Sequence, residues 1–529
     1  MLHGPLAASG ACRPGGKTPG LVRRAAAGLA IAALAVLAGC AGLPPQPERT
    51  PTHALPPSTE STLGRTVTAM TQQHPERSGV VAIEDGRAAF GVRVALARIA
   101  RRSIDIQTFI WHGDAAGTLL FEELLRAAER GVRVRLLLDD LNTGPIDPTL
   151  ALLAAQPGIE VRLYNPFVNR QARTLDLLAD FARLNRRMHN KSFTMDGVVA
   201  LVGGRNVADE YFEIGDTGFV DLDVLAIGDV VPSVTAEFDL YWNSASAYPA
   251  RLLIADVPAE SRAAFAERVR TIRANPDANS YTSAAVRNPV VRELIAGTLD
   301  VQWVRAMVAH DDPAKTLSPI DRPEQQLLPQ LRGWLGQAST SFDVISPYFV
   351  PGEAGTAVLS ALAQRGVRVR VLTNSLSASD EKSVHAGYAK RREALLRAGV
   401  ELYELKRDAS TIVQRARDIG RGSKAGLHAK TYIIDGRLLF VGSFNLDPRS
   451  SKLNTEMGLL IDSAAIAGPL SATVERAFPA LAYRVTMADD GSLRWDDGHG
   501  PVVDVEPESD WLDRALVRIG SWLPIEWLL

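Results

Sequence analysis

The sequence predicts an α/β protein made of two tandem, related halves, each a sheet sandwiched by helices, set with pseudo-two-fold symmetry around one shared active site. Three observations lead there. His189-Asn190-Lys191, Asp196, Gly203, Gly204 and Asn206 share one spacing with His428-Ala429-Lys430, Asp435, Gly442, Ser443 and Asn445, with offsets from His of +2, +7, +14 and +17. A strand, a helical apolar period and a second strand precede each copy. The pairs Ser103/Ser341, Gly131/Gly366 and His189/His428 are 238, 235 and 239 residues apart, the near-constant offset of a tandem duplication.

At 529 residues the chain exceeds one average core, which fits two domains. Residues 1–39 carry Arg13, Lys17, Arg23 and Arg24 and no acid, then a charge-free run of 15 residues, Ala25 to Gly39, before Cys40. That run is shorter than the ~20 residues a bilayer span needs, and Leu37-Ala38-Gly39-Cys40 resembles a bacterial lipobox, so a cleaved signal and an acylated Cys40 are expected. Cleavage removes four positive charges and takes the formal net charge from −2 to −6. An acidic total argues against binding nucleic acid by bulk electrostatics. With Cys12 removed and Cys40 lipidated, neither a disulfide nor a thiolate metal site remains.

The stretch after Cys40, rich in Pro, Ser and Thr, reads as an extended tether. Residues 103–110 alternate as a strand, 115–130 carry a helical period, and 131–138 form another strand; 341–348, 355–365 and 366–372 repeat the order. Short right-handed crossovers make these early strands parallel. Asp196-Gly197 and Asp435-Gly436 are hairpin turns whose returning strands bring Asn206 and Asn445 beside the histidines. The expected organisation is a signal peptide over 1–39, a lipidated tether over 40–78, domains over 79–310 and 311–500, and an amphipathic tail over 501–529.

Imidazole can attack phosphorus or carry a proton near neutral pH, and ammonium can grip a phosphoryl oxygen, so two His/Lys pairs suit one symmetric phosphoryl-transfer site. The double motif resembles the phospholipase D superfamily, and residues 184–212 resemble the C-type bacterial cardiolipin synthases in particular; the likeness runs from about Gly79 to the C-terminus. It implies two phospholipase D-like domains and a two-step phosphatidyl transfer through a phosphohistidine, without metal or cofactor. Phosphatidylglycerol and phosphatidylethanolamine would yield cardiolipin and ethanolamine. Family precedent makes His189 the nucleophile and His428 the acid/base, an order the symmetric motifs leave open. Lys191, Lys430, Asn206 and Asn445 would hold the equatorial oxygens, and Asp196 and Asp435 complete the motif, more as hairpin supports than as acids. Hydrolysis to phosphatidic acid is the alternative, and a nuclease-type phosphodiesterase a more distant one.

The apolar strands headed by Asp223 and Glu456 look equivalent, which makes these acids candidates to orient the imidazoles. Arg183, Arg186 and Arg187, and Lys406, Arg407, Arg415, Arg417, Arg421 and Lys424, precede the two histidines as head-group sites or solvated loops. Trp111, Pro347, Tyr348 and Pro351 are candidate pocket walls, and His112 and His385 have no companion metal ligands in sequence. Trp511, Leu512, Ala515, Leu516 and Ile519 form one helical stripe, followed by Trp522, Leu523, Ile525, Trp527, Leu528 and Leu529 around Pro524, which suits either a bilayer surface or the protein's own core. The expected partners are phospholipids and the membrane, with the chain monomeric as an internal pseudo-dimer. Its expected place is the bacterial cell envelope, anchored through Cys40 and facing the periplasm.

Overall fold

The computed structural model describes residues 42–46, 51–215, 217–254, 261–275, 288–320, 322–407, 409, 424–523 and 526–529. The signal and lipobox residues, Cys40, Arg415, Arg417, Arg421, Pro524 and Ile525 lie outside these. One small unit holds Phe167–Phe181, where Asn169 N donates to Asp176 Oδ2 (2.5 Å) at the head of a helix over Arg173–Ala179. The other, Pro44–Pro166 with Ala182–Leu529, contains both motif copies.

In that unit the first half contributes β1 (Ser78–Ile83), β2 (Ser103–Thr108), β3 (Arg133–Asp139), β4 (Ile159–Tyr164), β5 (Ser192–Met195), β6 (Val199–Gly203), β7 (Thr217–Val220), β8 (Asp223–Gly228) and β9 (Ala247–Pro249). The second contributes β10 (Gln302–His310), β11 (Ser341–Ile345), β12 (Arg368–Asn374), β13 (Glu401–Leu405), β14 (Lys424–Leu427), β15 (Lys430–Ile434), β16 (Leu438–Gly442), β17 (Met457–Asp462), β18 (Ala482–Met487) and β19 (Leu493–Asp496). The pairings run β9–β4–β3–β2–β5–β6–β8–β1 in one half and β19–β18–β13–β12–β11–β15–β16–β17–β10 in the other. As expected, β2–β3 and β11–β12 are parallel, and β4 and β13 extend each parallel run by one strand.

Strand β10 takes in the second half the place that β1 takes in the first, although a boundary at 310/311 leaves it in the first. It also pairs with β1, Ser78 opposite Val304, and so joins the sheets edge to edge. The duplication extends to side chains. Asp105 lies opposite Arg135 and Asp343 opposite Arg370, and each forms a buried ion pair, Nε to Oδ1, at 2.7 and 2.6 Å.

Helices cover both sheet faces, which is why β2 and β3 bury residues of both alternations. On one face Phe90 and Leu96 of α2 (Gly86–Ile99) and Leu119 and Leu124 of α3 (Ala115–Glu129) pack on Ile104, Ile106, Val134 and Leu136. On the other lies α4 (Val231–Trp242), with Glu237 reaching Gln107. Gly366 at φ +88° and Gly131 at φ +87° occupy the matching turns before β12 and β3, a left-handed conformation that glycine adopts without Cβ strain.

The segment expected to be a free tether is instead folded along the first half. Ala54 N donates to Asp239, Arg135 Nη1 to Thr52 O (3.0 Å) and Arg102 Nη1 to Pro56 O (2.7 Å), so side chains satisfy backbone groups that no regular element pairs. Helix α1 (Thr62–Gln72), capped by Ser61 Oγ accepting from Gly64 N (2.9 Å), follows and buries Leu63 and Val67.

Each motif hairpin turns through two left-handed residues, Asp196 and Gly197 at φ 52° and 66° and Asp435 and Gly436 at 53° and 58°, the pairing a tight two-residue turn requires. Asp196 accepts from the backbone N–H of Arg101, Arg102 and Ser103, and Asp435 from those of Ser339, Thr340 and Ser341. Both motif aspartates therefore fasten the hairpin to the loop entering the first parallel strand. Asp196→Ala is expected to lower stability by about 2–3 kcal/mol, because three N–H groups lose a charged acceptor. The denaturant midpoint reads this, and turnover per folded molecule should stay within a few-fold.

Candidate active site

Both motif histidines sit on extended segments just ahead of β5 and β15, each hydrogen-bonded to the other half. His189 N donates to Thr455 O (2.9 Å), and His428 N to Val220 O (2.9 Å). These contacts set each imidazole beside a carboxylate of the opposite half. His189 Nδ1 lies 2.8 Å from Glu456 Oε2, and His428 Nδ1 lies 2.6 Å from Asp221 Oδ2. Glu456 therefore orients the first half's histidine, and Asp221, not Asp223, orients the second's.

The register explains the correction. Gly203 faces Asp223 and Gly442 faces Gly458, so Asp221 is the equivalent of Glu456 and Asp223 that of Gly458. Asp223 turns its Oδ2 to Arg93 (2.9 Å) and Arg205 (3.3 Å), a buried structural cluster. The Gly/Ser difference within the motif follows from the acids. A Cβ on Gly204 would come within 2.2 Å of Asp221 Oδ1, whereas Ser443 in its place donates Oγ to Glu456 Oε2 (2.5 Å). Ser450 Oγ donates to the other oxygen of Glu456 (2.8 Å).

With Nδ1 committed to a carboxylate, each ring keeps Nε2 for chemistry. Both imidazole side chains are 9% exposed, so one edge still meets solvent. Lys191 Nζ donates to His189 O (2.6 Å) and Lys430 Nζ to His428 O (2.5 Å), which ties each ammonium to its own histidine's backbone. Phe109 meets His189 edge-on with ring centres 5.0 Å apart, and Tyr211 meets His428 likewise at 4.9 Å, with Phe219 at 5.4 Å. Asn206 Nδ2 donates to Tyr211 Oη (2.9 Å) and its Oδ1 accepts from Ile110 N (3.2 Å), so it also positions the ring against His428. The buried Asn445 Oδ1 has no hydrogen-bond partner among the described residues.

Burial, reinforced by Lys191 and Lys430, holds His189 well below the usual imidazole range. Burial and then Lys430 lower His428 to about 3, against the opposing pull of Asp221. Burial also brings Lys430 down to about 8 and Lys191 well below its ordinary value. The carboxylates diverge. Burial raises Glu456 to about 7 despite Lys191 and the two serines, while for Asp221 the same burial is outweighed by His428 and Lys430, which hold it at about 2. The centre favours neutral imidazoles between lysines, and an anion entering it restores the balance that lets one ring carry a proton.

Other sequence candidates lie elsewhere. Trp111, 1% exposed, stacks on Phe121 at 4.3 Å inside the first core and is no pocket wall. Tyr348 donates to Asp380 Oδ2 (2.8 Å). Arg187 is buried on Asp139 (Nε to Oδ1, 2.8 Å), Arg183 holds Asn165, Arg186 reaches Ser318 O, and Lys406 donates to Asp497 O (3.1 Å), so these four serve the fold. The histidines without companions in sequence have acids nearby in space, Asp114 and Glu210 by His112, and Glu404 and Glu506 by His385, which lies within a helix. Asp114 already accepts from Gly117 N and Asp209 N, and Glu506 already binds Arg392. Beside Asp221 opens a cavity of about 280 Å³ lined by Phe219, Leu222, Leu427, Val474 and Phe478 among others.

The family described as cardiolipin synthase, PLD-like domain, matches this chain twice, at residues 94–238 and 331–478. Cardiolipin synthase C of Escherichia coli (strain K12) is 44% identical over 475 residues, covering 88% of this chain and 99% of that protein. A cardiolipin synthase of Oceanobacillus iheyensis is 26% identical, covering 74% of this chain and 67% of its own. Phosphatidylserine synthase of Haemophilus influenzae Rd KW20 shares the fold with a TM-score of 0.54 at 15% identity, over 88% of this chain and all of that one. The two matched segments hold the two halves of the histidine centre, and on that footing this chain belongs to the cardiolipin synthase family with PLD-like domains.

Proposed function

We propose that this protein is a phosphatidyltransferase that makes cardiolipin, with phosphatidylglycerol and phosphatidylethanolamine as substrates and ethanolamine as the second product. The crossed pairs His189–Glu456 and His428–Asp221 carry this reading, because each commits Nδ1 to a carboxylate and leaves Nε2 for chemistry on a ring that feels both Lys191 and Lys430. In the first step His189 Nε2 bonds to the donor's phosphorus, the P–O bond to its head group breaks, and His428 donates its proton to the departing alkoxide. In the second, His428 removes the proton from the acceptor's hydroxyl, whose oxygen displaces His189. Lys191 and Lys430, with Asn206 and Asn445, stabilise the equatorial charge. Each half supplies the acid that the other half's histidine uses, so a single chain suffices. The cavity beside Asp221 suits an apolar substrate portion.

We place the protein in a bacterial envelope, cleaved before Cys40 and acylated there, facing the periplasm. No helix among the described residues is long and apolar enough to cross a membrane. A mass spectrum of the mature N-terminus tests the anchor, and an uncleaved Met1 species refutes it.

Lipid mass spectrometry tests the reaction. With phosphatidylglycerol and phosphatidylethanolamine together the protein should form cardiolipin, and His189→Ala and His428→Ala should not. Phosphatidic acid as the main product would make water the acceptor and overturn the synthase assignment.

A further inference from the structure

Helix α8 (Trp511–Trp522) presents its widest apolar face to solvent. Asp510 caps it by accepting from Asp513 N (2.7 Å). It docks through a thin edge on α6 (Lys382–Arg397) and the loop before it. Val517, 6% exposed, packs with Leu376 and Ala386, Asp513 pairs with Lys382, and a Cβ on Gly520 would lie 3.1 Å from Ala386. The opposite side carries Trp511, Leu512, Leu516, Ile519, Trp522 and Leu523, between 47% and 74% exposed. At 100° per residue, 3.6 to a turn, these positions fall within an arc of about 140°. Arg518, exposed, borders it. The sequence left open whether this stripe packs on the protein's own core; the structure turns it outward.

From this we propose that α8, with Trp527 beyond it, is an interfacial helix that seats the protein on a phospholipid bilayer beside the histidine centre. The composition favours that occupant. The large exposed apolar side chains include three tryptophans, Trp511, Trp522 and Trp527, and all three lie here. Tryptophan rings next to leucine and an arginine at the border are the make-up of a helix lying at head-group depth. The position favours it too. Arg449, which helps depress His189, donates its backbone N–H to Leu529 O (2.9 Å) and its guanidinium to Leu528 O (2.7 Å). The same guanidinium reaches Asn185 O (3.2 Å), four residues from His189. The chain end is thus pinned at the rim of the site, and the apolar face leads from there. The inference deepens the proposed function, since a lipid drawn into that site leaves the bilayer next to this helix.

The test uses the mature chain from residue 40 with Cys40→Ser, which carries neither the apolar signal run nor an acyl anchor, with phosphatidylethanolamine/phosphatidylglycerol vesicles containing lipids brominated near the head of the chain. Tryptophan emission should be quenched on vesicles and stay quenched at high salt, because apolar insertion is not screened. The Leu512→Ser/Leu516→Ser/Ile519→Ser protein keeps all its tryptophans and the Val517 contact, and should lose the quenching. It should also lose turnover on vesicles while keeping it on soluble short-chain phosphatidylethanolamine with phosphatidylglycerol. Unquenched wild type, or quenching unchanged in the triple variant, overturns the proposal. A concentration-dependent doubling of mass that the triple variant abolishes also overturns it, in favour of a second copy as the occupant. Quenching without turnover on either substrate leaves the docking intact and sinks the phosphatidyltransferase reading instead.

Discussion

His428→Ala protein mixed with a phosphatidyl diester of p-nitrophenol is expected to release one equivalent of nitrophenolate, then stop with a phosphatidyl group on His189. Nitrophenolate departs without a proton, so the first displacement needs only the neutral Nε2 of His189. Burial and the two lysines keep that ring unprotonated. Glu456 holds it by Nδ1, so the lone pair points away from the carboxylate. The second displacement must take a proton from the acceptor hydroxyl, and without His428 no positioned base does so. Intact-protein mass should rise by one phosphatidyl group, mapped to His189. His189→Ala should give neither burst nor adduct, with turnover lower by about 10⁴-fold or more, whereas losing general acid–base catalysis alone costs about 10²–10⁴-fold on natural substrates. An adduct on His428 in the His189→Ala protein would reverse the assigned order.

Local features of this site were readable in the sequence, and features that depend on pairing between the halves were not. The hairpins at Asp196-Gly197 and Asp435-Gly436, the parallel β2–β3 and β11–β12 units and the coincidence of His with Lys follow from spacing and from turn residues that permit positive φ. Asp221 was missed because a slip of two residues along a strand keeps a side chain on the same face, so alternation cannot tell it from Asp223. Only alignment on the ladder ends, Ile227 opposite Val199 and Asp462 opposite Leu438, separates them, and that alignment comes from the pairing with β6 and β16. The exchange of carboxylates rests on Thr455 meeting His189 and Val220 meeting His428 across more than 200 residues of chain, which no local spacing encodes. Trp111 misleads for a related reason. It follows a strand as a pocket residue would, but the fold turns its ring inward onto Phe121.

The pair Asp221 and Asp223 provides the second large effect, because two acids two residues apart should fail in different ways. Asp223→Asn is expected to cost about 3–5 kcal/mol, since it leaves the buried guanidiniums of Arg93 and Arg205 without their shared carboxylate. Asp221→Asn should fold and lose about 10³-fold in kcat, the scale of a misoriented general acid–base. Its pH profile separates a chemical role from a structural one. The active form holds one proton on the two histidines, and burial with two lysines lowers both, so kcat/KM should describe a bell centred below the ~6.5 of free imidazole. Asp221 works against that lowering at His428. Its neutral replacement lets His428 lose its proton at lower pH, so the alkaline limb moves toward acid. Lys430→Gln removes a charge that depresses both rings, so its bell should move toward alkali even as the rate falls. Opposite displacements in the two variants identify His428 as the group whose protonation the reaction follows. Profiles that keep their wild-type positions would mean that the titrating pair is not these histidines.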